Sequence, residues 1–153
     1  MCILVFLGTN CALPLIPFNS EFPAFWIGIP EPEADTIKQR LNKSFFYEVG
    51  SHEGCGCGFN YDDDAAILDA ESDVPEAVKM DWREAHEASV ASVEQLTQYV
   101  RLGLQAGSAA VYTCWYGDWE AEPEIIRHIG VAHFGGKEFR FIERELLILE
   151  AVA

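Results

Sequence analysis

Positive charge is scarce in this chain: 10 Lys and Arg stand against 25 Asp and Glu, a formal net charge of −15. Phosphate recognition needs a basic stripe that releases counterions, so nucleic acid and anionic membranes are excluded as partners. Long apolar runs are missing too. The opening Met1-Cys2-Ile3-Leu4-Val5-Phe6-Leu7-Gly8 is too short to span a bilayer and has no basic residues ahead of it, as a secretory leader would. Cys11 follows Asn10, not the small residue that a lipoprotein cleavage site requires. The expectation is a buried first strand in a cytoplasmic protein that does not enter a membrane. The five cysteines are an odd number in a chain large enough to fold without staples, so reduced thiols are expected.

What is present suits one packed domain over residues 1–153, since half the residues are apolar and 12% are aromatic. There is no internal repeat and no linker. Leu13-Pro14-Leu15-Ile16-Pro17-Phe18 reads as a loop at a core edge, because neither proline can donate to a sheet ladder. Ala24 to Ile29, Phe45 to Val49 and Ala109 to Tyr116 read as strands. Ile37 and Leu41, spaced i, i+4, mark a short helix over about 32–42.

A long helix is expected over about 74–106. Asp73 and Glu76 have capping-box spacing, Pro75 suits a first turn, and Gly107 is a plausible stop. Val78, Trp82, Ala85, Ser89, Val93, Leu96 and Val100 form its apolar stripe. Ile125 to Phe134 and Phe139 to Leu149 look like the arms of a hairpin turned at Gly135-Gly136. The pattern predicts an α+β fold, an antiparallel sheet covered on one face by the long helix.

The segment richest in chemistry is Ser51-His52-Glu53-Gly54-Cys55-Gly56-Cys57-Gly58-Phe59. Cys55 and Cys57 would share a face if the run is extended. They supply two ligands where structural zinc takes four, so no metal or cofactor is expected. Packed, reduced cysteines are the commoner reading, and a functional thiol is the sharper one. The glycines imply that a ligand or the protein's own core approaches this backbone closely. An anion nest there is opposed by Glu53 and Asp62 to Asp64.

Asn60 to Glu71 resembles a calcium loop but carries Ala65 where the sharp turn needs Gly, which favours a solvated acidic loop. The carboxylates flanking His86, Glu84 and Glu87, are not at the i, i+3 or i, i+4 spacing of a metal face, so it reads as a boundary residue. In the expected hairpin His128 faces Glu143 and His133 faces Glu138, either as an acid–base site or as exposed ion pairs. Tyr112, Trp115, Tyr116 and Trp119 cluster around Gly117-Asp118, joined by Trp26, as pocket lining or as core.

Three stretches carry a family resemblance: the Met1-Cys2 opening, the Leu13 to Phe18 turn, and the run from Val49-Gly50 through Gly54-Cys55-Gly56-Cys57-Gly58-Phe59. Together they resemble a family of small uncharacterised bacterial proteins, some of them carried on mobile gene cassettes. The resemblance covers roughly the first 60 residues and implies a bacterial origin. That family has no established activity, so no functional residue is implied by it.

Two functions are carried forward. The first is a binding module for a small molecule or protein, with a cleft near the Cys-Gly loop and ligand contacts from His52, Trp115, Trp119 and His133. The second is a thiol-dependent enzyme with Cys55 or Cys57 as nucleophile, His52, His128 or His133 as base, and Glu143 as orienter. A homodimer is expected in either case.

Overall fold

A computed structural model describes residues 1–60, 73–136 and 139–151. Among the described residues the fold is α+β, as the pattern predicts. Six strands form one mixed sheet: β1 (Ile3–Thr9), β2 (Trp26–Gly28), β3 (Phe45–Gly50), β4 (Ala109–Trp115), β5 (Ile125–Gly130) and β6 (Glu145–Glu150). Their order is β2-β3-β1-β4-β6-β5. Among the described residues the α-helices are α1 (Asp35–Leu41) and α2 (Glu76–Gly103).

Side-chain alternation along β1 divides the core in two. Val5 and Leu7 face α2, where Val93, Leu96, Tyr99 and Val100 meet Tyr47, Val49, Val111, Leu147 and Leu149. Leu4 and Phe6 face the other way, toward Ile37 and Leu41 of α1, with Phe46, Tyr112 and Cys114 beside them. The long helix thus covers one face, and the short helix covers part of the other. In α1 the i, i+4 pair Ile37 and Leu41 is buried as expected, and the helix ends on Asn42 in the left-handed region at φ 49°.

The long helix differs from its sequence pattern at the start. Pro75 takes the N-cap position with no side-chain cap, so the Asp73 capping box does not form. The Pro75 carbonyl accepts the N–H groups of Val78 and Lys79 at 3.0 and 3.2 Å. Within α2 the first buried residue is Ser89, so Val78, Trp82 and Ala85 do not extend the core stripe. At the other end Leu104–Ala106 tightens into a 3-10 turn, and Gly107 stops it with φ 116°.

The expected hairpin is not formed. Strands β5 and β6 are parallel, in register Ile125↔Glu145 to Gly130↔Glu150. A parallel pair needs a crossover of about a dozen residues, and 131–144 supply it. Val131, Phe134 and Phe141 are buried in the α2-side core, with Phe139 packed against it. Burying these side chains draws the connection across the sheet face instead of letting it turn at Gly135-Gly136. The other strand pairings are antiparallel.

Candidate functional site

The Cys-Gly loop joins the end of β3 to the core and is pinned by Ser51. Its hydroxyl donates to the Cys55 carbonyl at 2.7 Å and accepts the N–H groups of Glu53 and Gly58, each at 3.2 Å. The Ser51 N–H also donates to the Cys55 carbonyl, at 2.8 Å. The run is not extended throughout: Cys55 is extended, but Gly56–Phe59 is a 3-10 turn that plants Phe59 in the core. The glycines are required by the protein itself. A Cβ on Gly56 would stand 2.9 Å from both the Ile3 carbonyl oxygen and Val5 Cγ2, and one on Gly58 would meet Ser51 and His52. Trp26 fills the space over Gly50 and donates its indole N–H to the Gly54 carbonyl at 3.3 Å.

This packing sets the start of β1 against the loop and adds a residue that the count of ligands in one segment missed. The sulfurs of Cys2, Cys55 and Cys57 all lie within 4.8 Å of one another. The Ile3 N–H donates to Cys57 Sγ at 3.3 Å. Cys2 is exposed, while Cys55 and Cys57 are half-buried. Among the described residues this group contains no histidine or carboxylate. Burial pushes the Cys55 thiol up to about 12. The backbone hydrogen bond from Cys57 works against that shift, while the Cys57 and Cys2 thiols add to it. A protonated thiol is a poor nucleophile, which counts against Cys55 in that role. The signal that could have found Cys2 was present: an apolar first strand preceded by Cys, beside a glycine at the centre of Cys-x-Cys.

His52 is engaged elsewhere. Its backbone N–H donates to Ser92 Oγ at 3.2 Å, and its ring Nδ1 lies 3.3 Å from the same oxygen, while that hydroxyl donates to the Ala88 carbonyl at 2.9 Å. Here the loop, the helix and the proline-punctuated segment enclose a cleft of about 330 Å³. It is lined by Ile16, Pro23, Ala24 and Phe25 from the segment 16–25, by Ala88, Ala91, Ser92 and Gln95 from α2, and by His52. Ile16 is fixed there by paired backbone bonds to Ile27, at 3.0 and 3.1 Å. The cleft exists because α2 presents small residues at i, i+3, i+4 spacing, where larger ones would close it.

The remaining expected site residues are dispersed. His128 is exposed on β5 and paired in register with Ile148, so it does not face Glu143, which is exposed beyond the start of β6. The buried carboxylate of this region is Glu145, 2% exposed, bridged by Arg127 through Nε at 2.8 Å and Nη2 at 3.1 Å. His133 lies in a 3-10 turn and lines a second, more polar cavity of about 650 Å³ with Arg127 and Arg140. Its expected partner Glu138 lies outside the described residues, as does the calcium-like loop from Tyr61 onward.

The aromatic cluster splits as well. Trp119 packs edge-on against Phe6 and Tyr116, with centroids at 6.0 and 5.4 Å, and so helps to cover the α1-side core. Trp26 belongs to the opposite side of the sheet order, and neither Trp115 nor Trp119 lines the cleft at His52. No family model matches this chain, and no curated protein or solved structure does either.

Proposed function

We propose that the protein is a binding module whose ligand sits in the cleft between α2, His52 and the segment 16–25. The observation that carries this reading is the cleft itself. It is open and largely apolar, and its lining carries three polar side chains, His52, Ser92 and Gln95. At about 330 Å³ it is at the small end of ligand sites, which run from roughly 300 to 1,000 Å³. Its chemistry fits a small apolar body with one hydrogen-bonding group directed at His52 and Gln95. Net charge makes an anionic ligand unfavourable before contact. A cytoplasmic setting, which keeps thiols reduced, suits the unbridged cysteines.

A neutral environment-sensitive dye tests the cleft. Saturable fluorescence is expected with the natural chain, and Ala91→Trp should abolish it by filling the cleft from the helix side. Saturable binding of the same strength in Ala91→Trp and in Ala88→Phe would overturn the reading.

A homodimer is part of this proposal. It is supported by Ile125 and Ile126, 38% and 61% exposed on the edge strand β5. Light scattering at micromolar concentration should give twice the chain mass of 17.1 kDa, and a monomer would sink that part alone.

A further inference from the structure

We propose that Cys2, Cys55 and Cys57 form a binding site for a soft, thiophilic metal ion, held by three thiolate sulfurs with a further position open to solvent beside Cys2. The ligand set is the first ground. Thiolates select soft and borderline ions such as Cu(I) and Zn(II) over hard cations, and no carboxylate belongs to the group among the described residues. Geometry is the second. A Zn–S bond of about 2.3 Å sets tetrahedral ligand sulfurs roughly 3.8 Å apart. The sulfurs here already lie within 4.8 Å, so closing on an ion needs a shift of about an ångström or less, which exposed Cys2 can make by rotation.

The support around the sulfurs is the third ground. Metal-bound ligands are oriented and tuned by hydrogen bonds from an outer shell, and the Ile3 N–H already points at Cys57 Sγ from 3.3 Å. Ser51 holds the Cys55 carbonyl with two donors, at 2.7 and 2.8 Å. Gly56, pressed against the Ile3 carbonyl, keeps the strand carrying Cys2 beside the loop carrying the other two. The ligands are thus supplied by two segments more than 50 positions apart and locked to each other by backbone contacts, so little ordering is left to binding.

The chemistry balances simply. Each thiol loses its proton to buffer as its sulfur binds the ion, so up to three protons leave per ion and affinity rises with pH. With Zn(II), water completes a tetrahedron at the solvent side. With Cu(I), three sulfurs suffice and no water is required.

The experiment uses the full chain, reduced and anaerobic. It is titrated with Zn(II) in one arm and with Cu(I) in the other, each against a chromogenic chelator, with proton release measured alongside. One equivalent should bind, with thiolate-to-metal absorption in the ultraviolet in the Cu(I) arm. Cys2→Ser, an exposed position that leaves the core untouched, should lower affinity by about 100-fold or more, as should Cys57→Ser. Cys11→Ser, remote from the cluster, should change nothing. The arm that binds more tightly identifies the ion. Uptake that is equal in the natural chain, Cys2→Ser and Cys57→Ser would overturn the site. So would failure of both ions to compete with the chelator, or the finding that these cysteines only form a disulfide in air and take up no metal when reduced.

Discussion

The carbonyl oxygen of Ile3 stands 2.9 Å from the point that a Cβ on Gly56 would occupy. One missing methyl group therefore decides whether the first strand can lie against the Cys-Gly loop. Gly56→Ala is expected to destabilise the chain by about 1–3 kcal/mol, the usual cost of overpacking a tight contact. It should also separate Cys2 from Cys55 and Cys57. Chemical denaturation reads the first effect. A bifunctional thiol reagent bridging Cys2 to Cys57 in the natural chain but not in the variant reads the second, and equal bridging in both would contradict it.

Glu145 is buried at 2% exposure and its carboxylate is bridged by Arg127 at 2.8 and 3.1 Å. Arg127 is itself 45% exposed, so water reaches the bridge from one side, and removing the guanidinium should cost about 1–3 kcal/mol. Arg127→Ala should therefore be destabilised, and Arg127→Ala with Glu145→Gln should recover part of the loss. Urea midpoints of the two variants make the comparison; equal midpoints would show that the bridge is solvent-relaxed.

Glu48 on β3 has its carboxyl pushed up to about 6 by burial, with the charge of Glu31 adding to the effect. The folded chain binds this proton more tightly than the unfolded chain, so Glu48 favours the fold while protonated. That contribution fades as pH rises from the ordinary carboxylate range through about 6. Glu48→Gln should raise the melting temperature at pH 7.5 and do little at pH 4. A gain of the same size at both values would refute the assignment.

Cys114 is fully buried among Phe6, Tyr112 and Leu146, and burial pushes its thiol up to about 12, with Asp118 adding to the shift. Iodoacetamide at pH 8 should leave it unmodified in the folded chain and alkylate it once urea unfolds the protein. Mass spectrometry of the peptide carrying Cys114 decides this, and rapid labelling in the native state would mean that the α1-side core opens readily.

Much of the architecture was legible because it follows from local periodicity. The apolar run Ile3 to Leu7, the i, i+4 pair Ile37 and Leu41, and the stop at Gly107 each announce an element whose burial the fold then supplies. What escaped depends on contacts between distant segments. Gly135-Gly136 has the composition of a hairpin turn, and nothing local reveals that Phe134 and Phe141 will pull the connection across the core. The same holds for the thiols. Cys55 and Cys57 announce themselves, but Cys2 joins them only because β1 packs on the loop. His128 and Glu143 were paired by a register that parallel strands do not have. Trp119, flanked by Asp118 and Glu120, leans on Phe6 from a loop, a contact that no local pattern announces.

The position of β1 has a consequence for how the chain comes together. It sits inside the sheet, between β3 and β4, and its partners in β4 lie more than 100 positions further along. During synthesis β1 must therefore wait, apolar and unpaired on one side, until the chain has grown by more than 100 residues. Closing so long a loop before any contact repays it should make folding slow for a chain of this size. The segment of greatest aggregation risk is thus made long before its β4 partner, and a holding chaperone that shields it would raise the yield of folded protein.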